Sequence, residues 1–237
     1  MLEKAKIIID KVAEQTDSVI LWHSLAGKDS IVMLDLLYPK FKRVACVFQY
    51  MVKDMRAYNI YADYAKRKYP NIELYQVSHH VVYGYIKYGA YGKERDKKQK
   101  IYSLAEMNKV LQKELGIEWS CYGFKQSDSL NRRIRLRQLS YEAINYKSKK
   151  FYPLSHYKNK DMLNYIKENN LKKPIQITKG EASCGCCITM ADYMTWLREN
   201  YPDDYLKVCL EFPKCKFIIK LDEYKKQRET ANTAWEY

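Results

Sequence analysis

Val19-Ile20-Leu21-Trp22-His23-Ser24-Leu25-Ala26-Gly27-Lys28-Asp29-Ser30-Ile31-Val32-Met33-Leu34 decides the fold. An apolar run enters a short polar turn and a second apolar stretch leaves it, which reads as strand, loop and helix. Gly27 and Ala26 are small enough to let backbone N–H groups approach a bound anion. Lys28 adds a mobile positive charge. Asp29 and Ser30 open the helix, whose first N–H groups and positive dipole end favour an anion, and the Ser30 hydroxyl can donate to a phosphate oxygen or approach Mg²⁺. The same residues would also serve an ordinary serine-capped helix start.

Outward from the loop the pattern repeats. Val44–Phe48 is apolar enough for a buried parallel strand, Asp54 to Tyr69 has helical spacing that stops at Pro70, and Ile72–Val77 reads as a third strand. Strand, helix, strand alternation predicts an α/β doubly wound, mostly parallel sheet flanked by helices. Ligands of such sheets bind at the carboxyl ends of the strands, where Ser24 to Asp29 lie. The stretch His79–Lys100 shows no clean period and is expected to be a mobile excursion over the site. Ser103-Leu104-Ala105-Glu106 matches a capping box for a helix to about Leu115, and Ile117–Tyr122 can form another strand. Residues 1–175 are expected to form a nucleotide-binding domain and 176–237 a small helical, cysteine-containing extension.

The 237 residues carry a net charge of +14, which attracts anions without saying which. Nucleotide, nucleic acid and acidic protein surfaces all remain open as partners. No run of eighteen apolar residues is present, so no membrane span is expected. Leu2–Glu14 reads as an amphipathic helix instead of a secretory signal, which points to a cytoplasmic protein. Seven cysteines without a signal argue for free thiols, metal ligation or redox chemistry, not a disulfide framework.

The loop resembles the PP-loop, Ser-Gly-Gly-Lys-Asp-Ser, of ATP pyrophosphatases and phosphoadenosine phosphosulfate (PAPS) reductases. Leu25 stands for its first serine and Ala26 for its first glycine, and Ser24 lies one residue earlier. Two further blocks follow in the family's order. Gly123-Phe124-Lys125-Gln126-Ser127-Asp128-Ser129-Leu130-Asn131-Arg132-Arg133 is similar to the reductases' Gly-x-Arg-x-x-Glu-Ser-x-x-Arg, with Lys125 for arginine and Asp128 for glutamate. Read by itself, this block is equally a helix start capped by Asp128 or Ser129 with a basic face behind it. Pro153-Leu154 to Tyr165-Ile166 resembles a third motif, with Tyr157 in a tryptophan position and a helix beginning near Lys158.

The resemblance implies an adenine nucleotide alpha hydrolase-like fold that binds PAPS, or ATP with Mg²⁺. It implies nucleotide or phosphate contacts from Ser24, Gly27, Lys28, Asp29, Ser30, Gly123, Lys125, Ser129, and Arg132 or Arg133. Three thiols, Cys184, Cys186 and Cys187, crowd four positions beside Lys179. In the reductases a cysteine of a Glu-Cys-Gly-x-His motif attacks the sulfonucleotide and later forms a disulfide with thioredoxin. Cys184-Gly185 matches its centre, which makes Cys184 the nucleophile, with a thioredoxin-like reductant; Lys28 is the other catalytic candidate, offsetting charge on a departing pyrophosphate where ATP is the substrate. A second reading uses Cys184, Cys187, Cys209 and Cys215 to hold zinc or an iron–sulfur cluster. A third takes the chain as an ATP pyrophosphatase or adenylating sulfurtransferase acting on tRNA or DNA. A fourth is a non-catalytic nucleotide-binding assembly protein.

Overall fold

The computed structural model describes residues 2–70, 72–177 and 187–233. It divides into two compact units, one of residues 1–50, 58–77 and 102–175, the other of 51–57, 78–101 and 176–237.

The first unit is built on a six-stranded sheet. After helix α1 (Glu3–Ala13), the chain runs β1 (Ser18–Trp22), α2 (Lys28–Leu37), β2 (Arg43–Tyr50), α3 (Arg56–Lys68) and β3 (Ile72–Ser78). It continues, after residues of the second unit, through α5 (Leu104–Leu115), β4 (Trp119–Cys121), α6 (Leu130–Arg137), β5 (Ile144–Asn145), β6 (Lys150–Phe151) and α7 (Asn159–Glu168). Strand order is β3-β2-β1-β4-β6-β5. β1 pairs in parallel with β2 and β4, β4 pairs in parallel with β6, and β5 is antiparallel to β6. The chain therefore winds outward from β1 in one direction and then, from β4, in the other. The loops after β1 and β4 flank that switch point, where a doubly wound sheet opens a crevice.

The strands next to the switch point are mostly apolar because both faces are covered, with Ser120 a buried polar exception in β4. Ile20, Ala45, Val47, Leu111 and Ile117 form one buried cluster. Asp35 ties α2 to its neighbours by accepting from Tyr69 Oη at 2.6 Å and from Tyr165 Oη at 2.8 Å. Tyr165 belongs to the third motif block, so that block packs the loop helix in place. The capping box at Ser103 and Glu106 is present as expected.

The second unit contains α4 (His80–Tyr88), α8 (Ala191–Asn200), α9 (Pro202–Glu211) and α10 (Ile218–Thr233). The stretch His79–Lys100, whose sequence shows no clean period, thus contains a regular helix. The His79 side chain caps the Val81 N–H, and Gly89 ends α4 in the left-handed region at φ 67°. Local caps supply what hydrophobic periodicity lacks. Tyr193, Met194, Leu197, Val208, Phe212 and Cys215 form this unit's buried side. Buried Asp204 accepts from the N–H groups of Arg56 and Ala57 at 2.9 and 2.8 Å. Among the described residues no helix is long and apolar enough to cross a membrane.

Candidate functional site

β1 delivers the chain into the loop, and α2 begins at Lys28 with Gly27 as its N-cap. The loop is held by its own hydrogen bonds. Ser24 N donates to Ser30 Oγ at 2.9 Å, and the two hydroxyls lie 3.0 Å apart. A Cβ on Gly27 would collide with Ser24 Oγ, so a larger residue here must displace that hydroxyl although the φ of −82° suits any residue. Gly27→Ala should therefore break the Ser24–Ser30 contact and weaken nucleotide binding by about tenfold or more, while stability changes by no more than about 1 kcal/mol. Titration calorimetry beside a thermal melt checks both.

Leu25, the departure from the PP-loop pattern, adopts φ 56° and is 1 % exposed. A left-handed leucine costs about 1–2 kcal/mol, offset here in part by a hydrogen bond from its N–H to His23 Nδ1 at 2.9 Å. Its side chain turns inward, where it lines a small cavity with His23, Leu34, Tyr61, Tyr64 and Tyr69.

His23 was not among the residues picked out by motif, yet it shapes the loop. It is 4 % exposed, and burial pushes its pKa down to about 4. With Nδ1 accepting, the neutral ring carries its proton on Nε2. The unfolded ring binds a proton near pH 6.5 and the folded ring only near pH 4, so stability from His23 is intact above pH 6.5 and falls as pH drops toward 4. The slope approaches about 1.4 kcal/mol per pH unit. Denaturant midpoints measured from pH 7 to 4.5 should show this loss, and His23→Gln should flatten it.

The residues after β4 meet the loop across the switch point. Gly123 packs so tightly against α2 that a Cβ would lie 3.2 Å from Asp29 Cβ and 3.1 Å from Met33 Cε. Lys125 is 1 % exposed, and its Nζ donates to Asp29 Oδ2 at 2.7 Å and pairs with Asp128 Oδ1 at 3.2 Å. Lys28 Nζ lies 3.5 Å from the same Asp29 oxygen. Asp128 also accepts from Lys125 N and from Arg132, whose guanidinium stacks 4.2 Å above the Phe124 ring. Burial pushes the Asp128 carboxyl up, but the Lys125 N–H, the Lys125 ammonium and Arg132 outweigh it and hold its pKa below the usual value. Three cations and two carboxylates thus meet around one crevice.

Each sequence-derived candidate has its place in this arrangement. Ser24, Gly27, Lys28, Asp29, Ser30, Gly123, Lys125 and Arg132 converge through the contacts above. Ser129 caps α6 by accepting from Arg132 N at 3.2 Å. Arg133 is exposed, and its Nε donates to Gln126 O at 3.4 Å. Lys125 differs from an open phosphate ligand, because its ammonium is already committed to two carboxylates.

Asp29 Oδ1 is buried and unpartnered, a donor of the kind Mg²⁺ takes. Its other oxygen, however, carries two ammonium groups within 3.5 Å, and their charge opposes a divalent ion there. These residues do not suit Mg²⁺.

Of the thiols, Cys184 and Cys186 lie outside the described residues. Cys187, Cys209 and Cys215 belong to the second unit, where Cys187 Sγ lies 2.9 Å from Thr189 Oγ1. Burial, with Cys209 and Cys187 nearby, pushes the Cys215 thiol up to about 12. Burial likewise raises Cys46 to about 12 and lifts Cys121. Thiols so shifted are poor nucleophiles at neutral pH. Among the described residues no group of three or more His, Cys, Asp or Glu is arranged to hold a metal ion. Of the Cys184, Cys187, Cys209 and Cys215 set, Cys187, Cys209 and Cys215 are described, with Cys187 and Cys209 within electrostatic reach of Cys215, and Cys184 lies outside the described residues.

The sequence profile of the phosphoadenosine phosphosulfate reductase domain matches residues 20–191. No curated protein matches the chain. Among solved structures, the chain is similar to the U34-tRNA thiolase NcsA from Methanococcus maripaludis with its 4Fe–4S cluster, at 16 % identity and a TM-score of 0.50, covering 92 % of this chain and 77 % of that one. It is also similar to PAPS reductase from Candida auris in a phosphate complex, at 16 % identity and a TM-score of 0.48, covering 76 % and 87 %. NH3-dependent NAD synthetase from Campylobacter jejuni in complex with nitrate gives 14 % identity and a TM-score of 0.48, covering 94 % and 93 %. At such identity the thiolase likeness speaks for the fold alone. The profile spans the loop, the block after β4 and the third motif in unbroken order, and the chain belongs to the phosphoadenosine phosphosulfate reductase domain family.

Proposed function

We propose that this protein binds a sulfonucleotide of the PAPS class at the PP-loop and reduces it through Cys184. The observation that carries the reading is the pairing of Asp29, whose Oδ2 lies 2.7 Å from Lys125 Nζ and 3.5 Å from Lys28 Nζ. A loop whose acid is neutralised from within needs no divalent ion to accept an anion, and a sulfonucleotide, unlike MgATP, arrives without one. Residues 1–175 then act as the nucleotide-binding domain, and 176–237 as the extension that carries the thiols.

In this reading the loop N–H groups, Lys28 and Ser30 hold the phosphate–sulfate end, and Arg132 or Arg133 a further phosphate. The Cys184 thiolate attacks the sulfate sulfur, and the bond from that sulfur to the phosphate oxygen breaks. The nucleotide leaves with the electron pair as its 5′-phosphate, and Cys184 keeps the sulfonate. A thiol of a dithiol reductant, thioredoxin-like in chemistry, attacks the Cys184 sulfur and sulfite departs with the bonding pair. The reductant's second thiol then frees Cys184, so the two electrons come from the dithiol, which ends as a disulfide.

A second reading, ATP-dependent sulfur transfer to tRNA or DNA, is favoured by one feature: three thiols within four residues are more than a single nucleophile requires. Calorimetry with PAPS, APS, AMP and ATP plus Mg²⁺ separates the two. The expected result is tightest binding of PAPS, unchanged by EDTA. Preference for MgATP with release of pyrophosphate would replace the first reading by the second. Binding of none of them would leave an assembly role.

A further inference from the structure

We infer that α6 and the aromatic row beside it form a binding surface for single-stranded nucleic acid that adjoins the nucleotide crevice and shares Arg132 with it. Lysine supplies 32 of the chain's 42 basic residues, yet Arg132, Arg133, Arg135 and Arg137 stand together in α6. A lysine-rich chain can keep a solvated face with lysines, whereas forked guanidinium groups suit phosphate recognition and stacking. The helix buries only Leu136, and Arg133, Arg135 and Arg137 are exposed. The short β5–β6 hairpin that follows adds Lys147, Lys149 and Lys150, and from residue 130 to 150 Glu142 is the sole acid.

Aromatic rings lie against this basic helix. Leu21 pairs with Cys121 and Cys121 with Phe151, so the residues that follow, Trp22, Tyr122 and Tyr152, stand in one row at the carboxyl ends of three parallel strands. Their planes are nearly aligned: Trp22 and Tyr122 differ by 11° at 6.1 Å, Tyr122 and Tyr152 by 27° at 5.8 Å, and Phe124 and Tyr152 by 18° at 5.8 Å. Trp22, Phe124 and Tyr152 are only half-buried. Arg132 covers Phe124, Lys150 lies 5.9 Å from the Tyr122 ring centre, and Arg135 is within electrostatic reach of the Tyr152 hydroxyl.

Aligned rings, half-buried at Trp22, Phe124 and Tyr152 and buried at Tyr122 between them, match the needs of unpaired bases on a phosphate backbone where guanidinium groups edge them, since bases stack on aromatic surfaces and the backbone follows the cations. A base-paired duplex offers its stacked faces to neither. An acidic protein would use the charges but gain little from a row of aligned rings. The surface lies within the first unit and does not depend on which nucleotide the loop takes.

Fluorescence anisotropy of the full chain with a labelled 16-nucleotide RNA of mixed sequence, as single strand and as duplex, tests this over a salt series. Single-strand affinity should exceed duplex affinity. Arg135→Gln with Arg137→Gln should lower the slope of log K against log salt by about 1.4, from about 0.7 per phosphate contact on single strands. Tyr152→Leu should weaken single-strand binding about fivefold or more and leave that slope unchanged. Calorimetry should find PAPS-class binding in both variants equal to that of the parent protein. The inference is overturned if the arginine pair leaves both affinity and slope unchanged, a result that does not depend on how well the Tyr152 variant folds. It is equally overturned if duplex binds as tightly as single strand, or if poly-glutamate of matched charge displaces the RNA as well as unlabelled RNA does, which would mark a surface for acidic proteins.

Discussion

Replacing Cys184 by serine is expected to cut reductant-dependent sulfite release by about a thousandfold or more, with nucleotide affinity unchanged. A serine hydroxyl is almost wholly protonated at neutral pH and has no sulfur to carry the sulfonate. The comparison within the cluster makes the test specific: Cys186→Ser and Cys187→Ser should each keep sulfite release within a few-fold of the parent protein. The buried thiols offer no substitute, because burial holds Cys46 and Cys215 up near 12 and lifts Cys121 as well. If Cys187→Ser abolished release while Cys184→Ser did not, the role would move to Cys187. Full activity in all three single variants would remove covalent thiol catalysis from this segment.

Lys125→Met is expected to cost the fold about 3 kcal/mol, the low end for breaking a buried charge pair, because it strands two carboxylates beside the crevice. Lys125 is 1 % exposed, whereas Asp29 keeps 25 % and Asp128 18 % of their side-chain exposure, so water recovers part of the loss. In a protein of this size the melting temperature should drop by about 6 to 12 °C. Nucleotide affinity should fall as well, since Asp29, left with only Lys28 at 3.5 Å, repels phosphate more strongly. Adding Asp29→Asn to Lys125→Met should return part of the stability, because it removes one of the two carboxylates that Lys125 held and Asp128 keeps its bond from Arg132, while buried Lys28 gives up its 3.5 Å partner. A single-variant cost below about 1 kcal/mol, or a double variant no better than the single, would mean that these ion pairs do not hold the crevice together.

The strand, loop and helix at Val19 to Leu34 were legible because their causes are local: an apolar run, a residue small enough for close backbone approach, and a helix start with open N–H groups. The two later motif blocks were legible in order and type. What each residue does was less so. Lys125 read as an open phosphate ligand, but it is buried between Asp29 and Asp128. Gly123 read as a ligand contact, and the structure adds a packing reason in its approach to Met33 and Asp29. His23 carried no motif signal; its one clue was its place between the strand's end and the loop, and only burial and the bond from Leu25 N–H reveal its part. The helix His80–Tyr88 went unread because its caps, not its periodicity, define it.

By itself the sequence determined the family, the winding of the sheet and the place of the loop in it, since each follows from short-range pattern. Tertiary structure alone decided which charges meet, and so what the crevice can accept. Asp29 and Lys125 are 96 residues apart and become neighbours because β4 lies beside β1 at the point where the strand order reverses. That adjacency is a property of the whole sheet. No residue's local preference encodes it, yet the Coulomb energy of the pair depends on it entirely.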